Sequence, residues 1–417
     1  MSHEVPEGWK LNPLTDLANY INGRAFKPED WVSSGLPIIR IANMTNSDAA
    51  FNFYEGEDID DGHLVRNGDI LFSWSATLSI QKWTRGAAVL NQHIFKVVPA
   101  ESVQPDWLLY VLQNEVERLA DQSHGSTMKH IKKGVLKTHH VGVPPLHEQR
   151  RIAEVLSSVD EVIAATRAVI EQTRKVKQGV LERLLTKGIG HTRFKQTEIG
   201  EIPEGWDLAT LEELLADIPN PMRSGPFGSA LKSEELVETG IPFLGIDNIQ
   251  VEQFIRNYKR FLSEDKFRQL RRFAVNPNDV VITIMGTVGR CCVVPPDIGE
   301  AVSSKHIWAM SLDHERYIPD LACWQMNFAP WIVSKFTTSA QGGIMSAINS
   351  GILRKLVFPV PGLEEQRQIL QIWQSFQREL QVEQAKLQNL EELKSALMSD
   401  VLTGRKRVTD TLLMAAE

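Results

Sequence analysis

The sequence predicts a mixed α/β (α+β) protein with an internal pseudo-twofold repeat. We expect two globules of mixed sheet and short helices, joined by two long helices that form an antiparallel coiled coil. Three observations support this class. The chain of 417 residues is too long for one ordinary hydrophobic core. Its sequence is duplicated, and a long segment of helical apolar periodicity follows each copy of the globular part.

The duplication is visible in motifs that recur in the same order. Residues 5–9 (Val-Pro-Glu-Gly-Trp) recur at 202–206 as Ile-Pro-Glu-Gly-Trp, an offset of 197. Residues 143–150 (Val-Pro-Pro-Leu-His-Glu-Gln-Arg) recur at 360–367 as Val-Pro-Gly-Leu-Glu-Glu-Gln-Arg, an offset of 217. An offset that grows along the chain indicates duplication with about twenty residues inserted in the second copy.

Short apolar runs between turn residues predict strands in each globule. These runs are 36–41, 69–73 and 93–98 in the first copy, and 241–246 and 279–284 in the second. Residues 106–120 and 319–328 have helical patterns. Each globule is therefore predicted to be a mixed α/β domain.

The two long helices are predicted from residue 148 to about 186 and from 365 to about 403, segments that contain no proline. Apolar residues follow a heptad seam: Ile152, Leu156, Val159, Ile163, Ile170, Val180 and Leu184, with Ile369, Trp373, Phe376, Leu380, Leu387, Leu397 and Val401 at the equivalent positions. The seam also contains polar residues such as Thr166, Lys177 and Lys394. They either fix the register of the two helices or are tolerated because water reaches the seam.

The length of these helices has a functional implication. A helix of about 39 residues spans about 58 Å, more than one turn of B-DNA, which is about 34–36 Å. Two related domains on such a rigid spacer are expected to recognise two short DNA sequences a fixed distance apart. Because the globules have diverged strongly, the two half-sites should differ.

Composition limits the class of protein. The net charge of −7 argues against an isolated basic DNA-binding protein, but local patches decide phosphate contact. Basic patches occur at 129–140 and 254–272, and solvated surface charge explains either patch equally well. No apolar run reaches the length of a membrane span, no signal peptide pattern is seen, and three cysteines make no disulfide framework. We therefore expect a cytoplasmic protein.

The layout resembles the specificity subunit of type I restriction–modification enzymes. The resemblance is carried by the two Pro-Glu-Gly-Trp motifs, by residues 224–232 (Ser-Gly-Pro-Phe-Gly-Ser-Ala-Leu-Lys), by the segment 279–290, and by the Val-Pro-x-Leu-x-Glu-Gln-Arg start of both long helices. It covers residues 5 to about 403. The first globule departs from the pattern, since it has Asn-Gly-Arg-Ala-Phe-Lys at 22–27 in place of Gly-Pro-Phe-Gly-Ser.

This resemblance implies a domain organisation. Target recognition domain 1 is expected at residues 1–143, spacer helix 1 at 144–190, target recognition domain 2 at 191–359, spacer helix 2 at 360–405 and a C-terminal tail at 406–417. Each recognition domain would contact one half of a bipartite, asymmetric DNA site.

Candidate DNA-contacting residues lie in loops that follow predicted strands, where Lys, Arg and small polar groups suit phosphates and base edges. In the first copy they are Arg24, Trp74, Ser75, Thr77, Gln92, His93, Ser126, Thr127, Lys129, Lys132 and Lys133. In the second copy they are Arg223, Ser224, Gly286, Thr287, Arg290, Lys305, His306, Gln341 and Ser346. Gln92 suits adenine, and Lys305 suits guanine or a phosphate. A tight strand turn or a capping histidine without any ligand explains several of these positions as well.

The resemblance also implies partners. Double-stranded DNA, two methyltransferase (modification) subunits that methylate adenine and two motor–nuclease (restriction) subunits are expected, with no membrane. The starts of the long helices, Glu148, Gln149, Arg150, Glu365, Gln366 and Arg367, are the candidate residues for binding those subunits. S-adenosylmethionine, ATP and Mg²⁺ are expected only on the partner subunits.

The sequence contains no recognisable catalytic motif. A phosphate-binding loop, an Asn/Asp-Pro-Pro-Tyr segment and metal-ligand spacing of His or Cys are all missing. We therefore predict a non-catalytic DNA-recognition subunit without its own metal or cofactor. Two alternatives stay open: a scaffold that binds proteins, and a single-chain methyltransferase or nuclease with an unrecognised active site. Salt-dependent binding to a split DNA sequence separates the scaffold from the leading hypothesis, and activity of the purified chain alone would favour the enzyme.

Overall fold

The computed structural model describes residues 5–55, 59–121, 130–340 and 348–408, with the side chains of 337–340 excepted. The chain divides into two compact units. Unit 1 comprises Met1–Val169 and Glu383–Glu417, and unit 2 comprises Ile170–Val382. Each unit therefore contains one globular region and parts of both long helices.

Unit 1 contains ten strands in its described part. They are β1 (Lys10–Pro13), β2 (Ala18–Asn22), β3 (Leu36–Ile39), β4 (Asn52–Tyr54), β5 (Leu64–Val65), β6 (Ile70–Ser73), β7 (Ser79–Lys82), β8 (Ala88–Leu90), β9 (Ile94–Pro99) and β10 (His140–Val143). The helices are α1 (Leu14–Leu17), α2 (Ile41–Thr45), α3 (Pro105–Asp121), α4 (Lys133–Thr138) and the long α5 (Leu146–Lys187), which continues into unit 2.

Unit 2 contains thirteen strands in its described part. They are β11 (Phe194–Thr197), β12 (Gly200–Pro203), β13 (Asp207–Thr210), β14 (Met222–Ser224), β15 (Ile241–Leu244), β16 (Ile249–Gln250), β17 (Gln253–Phe254), β18 (Phe261–Leu262), β19 (Val280–Thr283), β20 (Cys291–Val293), β21 (Val302–Ser303), β22 (Ile307–Met310) and β23 (Val357–Val360). The helices are α6 (Leu211–Leu214), α7 (Glu264–Leu270), α8 (Pro319–Phe328), α9 (Pro330–Ala340), α10 (Ser350–Arg354) and the long α11 (Leu363–Leu402), which ends in unit 1.

The main sheets of the two units have the same topology. The strand order is β2-β9-β6-β7 in unit 1 and β14-β22-β19-β20 in unit 2, and all of these pairs are antiparallel. Each unit also has a second, mixed sheet, in which β3 pairs in parallel with β8, as β15 does with β21. The predicted duplication and mixed α/β class are therefore confirmed.

The central strand of each main sheet is buried on both faces, which explains its uninterrupted apolar sequence. In β19, Val280 and Ile282 pack into one hydrophobic cluster, and Val281 packs into another on the opposite face. In β6, Ile70 and Phe72 likewise face one cluster and Leu71 faces another. Such a strand does not show the alternation of apolar and polar residues that a half-exposed strand has.

The long helices pack against each other in antiparallel orientation, as predicted. In unit 1, Arg167 of α5 pairs with Glu391 of α11 at 2.5 Å, and Asp160 pairs with Lys394 at 2.6 Å. The residue number therefore rises along one helix where it falls along the other. Ile152 of α5 is buried in the same cluster as Val401 of α11.

The predicted seam is wrong in the second half of α5. Leu181 and Leu185 are buried in the core of unit 2, whereas Val180 and Leu184 are only half-buried. A straight α-helix drifts by about 20° per heptad relative to a 3.5-residue repeat, so the buried stripe moves by one residue along a long helix.

Lys177 is a seam residue with a specific partner in unit 2. Its ammonium lies 2.5 Å from Glu252, at the turn between β16 and β17, and the indole N–H of Trp373 donates to the same carboxylate at 2.7 Å. This polar position thus attaches the β16–β17 hairpin to the helices, a role that the heptad pattern alone did not indicate.

Candidate nucleic-acid interface

The turn between β8 and β9 positions two of the candidate residues in unit 1. The amide of Ile94 donates to the carbonyl of Asn91 at 3.1 Å, which closes a tight turn with Gln92 and His93 at its two central positions. Gln92 is exposed and His93 is half-buried. The turn therefore directs the Gln92 side chain to the surface.

Unit 2 builds the same turn between β21 and β22. The amide of Ile307 donates to the carbonyl of Ser304 at 3.1 Å, so Lys305 and His306 take the two central positions. Lys305 is exposed. Partial burial, together with the neighbouring Lys305 ammonium, lowers the pKa of His306 below its ordinary value of 6.5, so its ring is neutral at pH 7.

A glycine lies against this turn in both units. A Cβ added at Gly23 would lie 2.2 Å from the carbonyl oxygen of Asn91, and one added at Gly225 would lie 1.9 Å from that of Ser303. No other residue type fits such a close approach of two backbone segments. The first globule therefore keeps the one glycine whose position the packing requires, although the rest of the Gly-Pro-Phe-Gly-Ser segment is absent.

The turn that follows the central strand is held by a hydroxyl in both units. The Ser73 hydroxyl donates to the carbonyl of Thr77 and accepts from the amide of Ser79. The Thr283 hydroxyl donates to the carbonyl of Thr287 and accepts from the amide of Arg290. This places Thr77 at the surface of unit 1, and Gly286, Thr287 and Arg290 on the equivalent turn of unit 2.

The two turns are joined by a backbone hydrogen bond at equivalent positions. The amide of Trp74 donates to the carbonyl of His93 at 3.2 Å, and that of Ile284 donates to the carbonyl of His306 at 2.9 Å. Trp74 therefore corresponds in space to Ile284. An aromatic side chain in one unit is matched by an aliphatic one in the other.

Trp74 is the centre of an aromatic cluster in unit 1. Its ring lies 5.5 Å from His93, 5.7 Å from Phe95 and 5.9 Å from His130, measured between centroids. The amide of Ile131 donates to the carbonyl of Trp74 at 2.9 Å. The segment that carries Lys132 and Lys133 is thereby brought beside the turns. His130 was not among the predicted residues, although it lies in the same basic run at 129–140.

Arg24 completes the surface of unit 1. Its amide donates to the carbonyl of Leu90 at 2.8 Å, at the start of the β8–β9 turn, and its guanidinium lies 5.0 Å from the ring centroid of Tyr54. Lys132 and Lys133 are exposed, and the Lys133 ammonium lies 5.7 Å from the Phe95 ring centroid. Four segments that are distant in the sequence therefore meet at one surface, which we call the unit 1 surface: residues 24, 74–77, 92–93 and 130–133.

The corresponding surface in unit 2 consists of residues 286–290 and 305–306, which we call the unit 2 surface. Arg290 is half-buried, and its guanidinium donates to the side-chain oxygen of Gln250 at 2.7 Å. Its chemistry differs from that of the unit 1 surface, since the Lys305 ammonium takes the place of the Gln92 amide and the aliphatic Ile284 takes the place of Trp74.

The basic run at 254–272 is largely neutralised by acidic side chains. Five of its seven cations are ion-paired: Arg256 with Asp297, Lys259 and Arg260 with Asp247, Lys266 with Glu235, and Arg268 with Asp265. Arg271 and Arg272 are exposed. A count of charges in the sequence therefore overstates the cationic surface that DNA phosphates would meet.

Three predicted DNA contacts are buried. Arg223 is 8% exposed, and its guanidinium pairs with Asp279 and donates to Ser311 Oγ at 3.0 Å. Ser75 and Ser224 are also buried. We therefore correct the prediction for these side chains, because a side chain that is buried inside its unit does not reach a ligand. Ser126, Thr127, Lys129, Gln341 and Ser346 lie outside the described residues.

The start of each long helix is also different from the prediction. Glu148 accepts from the Trp9 indole at 3.0 Å and from two guanidinium nitrogens of Arg407 at 2.7 and 2.8 Å. Gln149 bonds to the backbone of Gln104 and Pro144. Both residues are at most 3% exposed, so these two members of the proposed partner-binding set serve contacts within unit 1.

Unit 2 repeats the arrangement with one difference. Glu365 accepts from the Trp206 indole at 2.8 Å, and His191 takes the place that Arg407 has in unit 1. Gln366 is fully buried and bonds to the backbone of Arg316, Ile318 and Pro361. The tryptophan that recurs in both Pro-Glu-Gly-Trp motifs is the sequence feature from which this contact could have been predicted. Of the six candidate partner-binding residues, only Arg150 and Arg367 are exposed.

The part of the chain that the structure describes contains no group of three or more His, Cys, Asp and Glu side chains that could hold a metal ion. Among the same residues, no helix has both the length and the apolar character that a membrane span requires.

Comparison with known proteins identifies the family. The profile of the family described as type I restriction modification DNA specificity domain matches residues 6–173 and 203–392, once in each copy of the repeat. The type I restriction enzyme MjaVIII specificity subunit of Methanocaldococcus jannaschii is 26% identical over 415 residues, which are 97% of this chain and 94% of that protein. The EcoBI specificity subunit of Escherichia coli is 25% identical over 384 residues, which are 88% of this chain and 78% of that protein.

Solved structures show the same fold. A chain from a study of complex assembly in the type I R-M system has a TM-score of 0.60 and 17% identity, and the match covers 95% of this chain and 98% of that one. The crystal structure of the type I S subunit from M. genitalium has a TM-score of 0.52 and 15% identity, with 98% of each chain covered. With both copies of its repeat matched by the profile, the chain belongs to the type I restriction–modification DNA specificity family.

Proposed function

We propose that this specificity protein recognises a bipartite, asymmetric DNA site, with one half-site contacted by each of the two surfaces. The observation that carries the proposal is the pair of equivalent turns, in which the same backbone hydrogen bonds present different side chains. Gln92 corresponds to Lys305, and Trp74 corresponds to Ile284. Because the two turns have the same backbone but carry different side chains, they suit two half-sites that differ in sequence.

We assign the first half-site to residues 1–143 and the second to residues 191–359. Phosphate contact is supported by exposed cations, namely Lys132 and Lys133 on the unit 1 surface and Arg271 and Arg272 in unit 2. These groups neutralise backbone charge without sequence preference, whereas the turn residues supply the sequence preference.

The partner subunits belong to the same proposal. Two methyltransferase subunits and two motor–nuclease subunits would assemble with this chain in the cytoplasm, and S-adenosylmethionine, ATP and Mg²⁺ would bind to those subunits. The exposed Arg150 and Arg367 at the helix starts are the groups of the original set that stay available for such contacts. Adenine methylation by the partner would then occur at the site that this chain selects.

The direct test is to map methylated bases in cells that express this chain with its methyltransferase subunit. We expect methylated adenines within two short, unlike sequences separated by a fixed run of unspecified bases. A control strain with the methyltransferase subunit alone should show no such motif. A continuous or a perfectly palindromic motif would contradict the proposal.

Phosphate contact by Lys132 gives a second prediction. Lys132→Ala should lower affinity for every DNA sequence and should reduce the slope of log K against log salt by about 0.9, the value for one released counterion on B-DNA. The measurement is a salt titration of DNA binding by the assembled methyltransferase complex. Lys175→Ala, an exposed lysine on α5, is the matched control and should leave the slope unchanged. A loss restricted to one base pair would contradict a phosphate contact.

A further inference from the structure

The second residue of the β8–β9 and β21–β22 turns is placed to contact a base in both units. Gln92 and Lys305 are exposed, whereas the residues on either side of them are at least partly buried. The turn backbone is fixed on two sides, by the close approach of Gly23 or Gly225 and by the amide of Trp74 or Ile284. A side chain that leaves a rigid turn loses less conformational entropy on binding than one on a mobile loop.

The amide of Gln92 is further held in place. Its nitrogen lies 3.2 Å from Nε2 of His93, and the His93 ring lies against Trp74. This bond uses one hydrogen-bonding position of the amide and leaves an N–H and an oxygen lone pair available. The available pair is one donor and one acceptor, side by side on a planar group.

Lys305 offers a different set of groups at the equivalent position. An ammonium has three donors and no acceptor. In the major groove, adenine presents the N7 acceptor beside the N6 donor, whereas guanine presents two acceptors, N7 and O6. The Gln92 amide therefore complements adenine, and the Lys305 ammonium complements guanine.

We propose that this turn position selects a purine in each half-site, adenine through Gln92 and guanine through Lys305. The inference rests on the proposed function, because it requires that the unit 1 and unit 2 surfaces meet the major groove. It goes further by naming the residue, the base and the base edge at which the two half-sites are distinguished.

The experiment uses the complex of the full chain with its methyltransferase subunit and the DNA site found by methylation mapping. Each purine of each half-site is replaced singly by its 7-deaza analogue, which lacks the N7 acceptor but still pairs normally. We expect one adenine in one half-site at which the replacement weakens binding about tenfold, the size of effect of a bidentate base contact. We expect one guanine in the other half-site that behaves in the same way.

Variants assign these two bases to residues. Gln92→Leu should bind the adenine and 7-deazaadenine duplexes equally, and should keep the full 7-deazaguanine effect in the other half-site. Lys305→Met should show the reverse pattern. The half-site that each variant leaves untouched reports that the protein is folded and assembled. Lys195→Gln, on the β11–β12 hairpin outside both surfaces, controls for the loss of one positive charge.

A second variant tests the selection itself. Gln92→Lys should change the methylated motif at the same base from adenine to guanine and leave the other half-site unchanged. Gln92 does not select a base if binding by Gln92→Leu is weakened by 7-deazaadenine at the same adenine as binding by the wild type. The same conclusion follows if Gln92→Lys leaves the methylated motif unaltered. If Lys305→Met weakened binding to all duplexes equally, Lys305 would contact a phosphate, and its assignment to guanine would be overturned. The absence of any bipartite methylated motif would instead contradict the proposed function.

Discussion

Replacing Arg223 by leucine is expected to lower the free energy of unfolding of unit 2 by about 3–5 kcal/mol, the usual cost of breaking a buried ion pair. Asp279, its partner, is 1% exposed, so its carboxylate would stay in the interior without a counter-ion. For a domain of this size the melting temperature should fall on the order of 10 °C. Differential scanning calorimetry of the full chain measures this change.

The pH dependence of the effect has a definite sign. Burial raises the pKa of Asp279 above its ordinary value of 3.8, and the Arg223 guanidinium opposes that shift. The protonated, uncharged carboxyl therefore contributes to the stability of the folded state. This contribution is complete at a pH below the pKa of Asp279 in the unfolded chain, and it is lost as the pH rises through the pKa in the folded chain. Without Arg223 the folded pKa rises further, so the stability deficit of the variant should grow as the pH rises above 3.8, the ordinary pKa of the carboxyl.

The same variant separates a structural role from a DNA contact. Arg271→Leu is the matched control, since Arg271 is exposed and its replacement should change stability by no more than about 0.5 kcal/mol. If Arg223→Leu kept the wild-type melting temperature and lost DNA binding, the original assignment of Arg223 to the DNA surface would be restored.

A comparable effect is expected at the start of α5, where two neighbouring residues of one motif should behave differently. Glu148→Ala removes the acceptor of the Trp9 indole and the partner of Arg407, and should destabilise unit 1 by about 2–3 kcal/mol. Glu148 is 3% exposed, so no partner subunit is needed for this loss. Thermal unfolding of the chain without partners is the measurement.

Arg150→Ala is the counterpart of that variant. Arg150 is exposed, so its replacement should leave the unfolding temperature within about 1 °C of the wild type. We expect it instead to reduce co-purification of the methyltransferase subunit. If both variants unfolded at the same temperature and only Glu148→Ala lost the methyltransferase subunit, Glu148 would be a partner-binding residue after all.

The outline of the fold follows from local patterns. The strands at 70–73 and 280–283 were predicted because apolar runs between turn residues mark strands, and α8 was predicted with its observed bounds. The equivalence of the two sheets followed from motifs that recur in order. Periodicity and turn residues act over a few neighbours, so these features need no knowledge of long-range contacts.

The roles of polar side chains did not follow from such patterns. Arg223 lies in a segment typical of a surface loop, but its partner Asp279 is 56 residues away. Glu148 belongs to a charged helix start, and Arg407, which pairs with it, is 259 residues away. Whether a charge meets solvent or another side chain depends on which distant segments pack beside it.

The sequence by itself was sufficient for the family, the duplication, the two long helices and the loops that carry candidate contacts. Three-dimensional packing selected among those candidates: Gln92 and Lys305 are exposed on equivalent turns, whereas Arg223, Ser75 and Ser224 are buried. The physical reason is the cost of desolvation. A polar group leaves water only where folding supplies a partner, and that partner can come from any part of the chain.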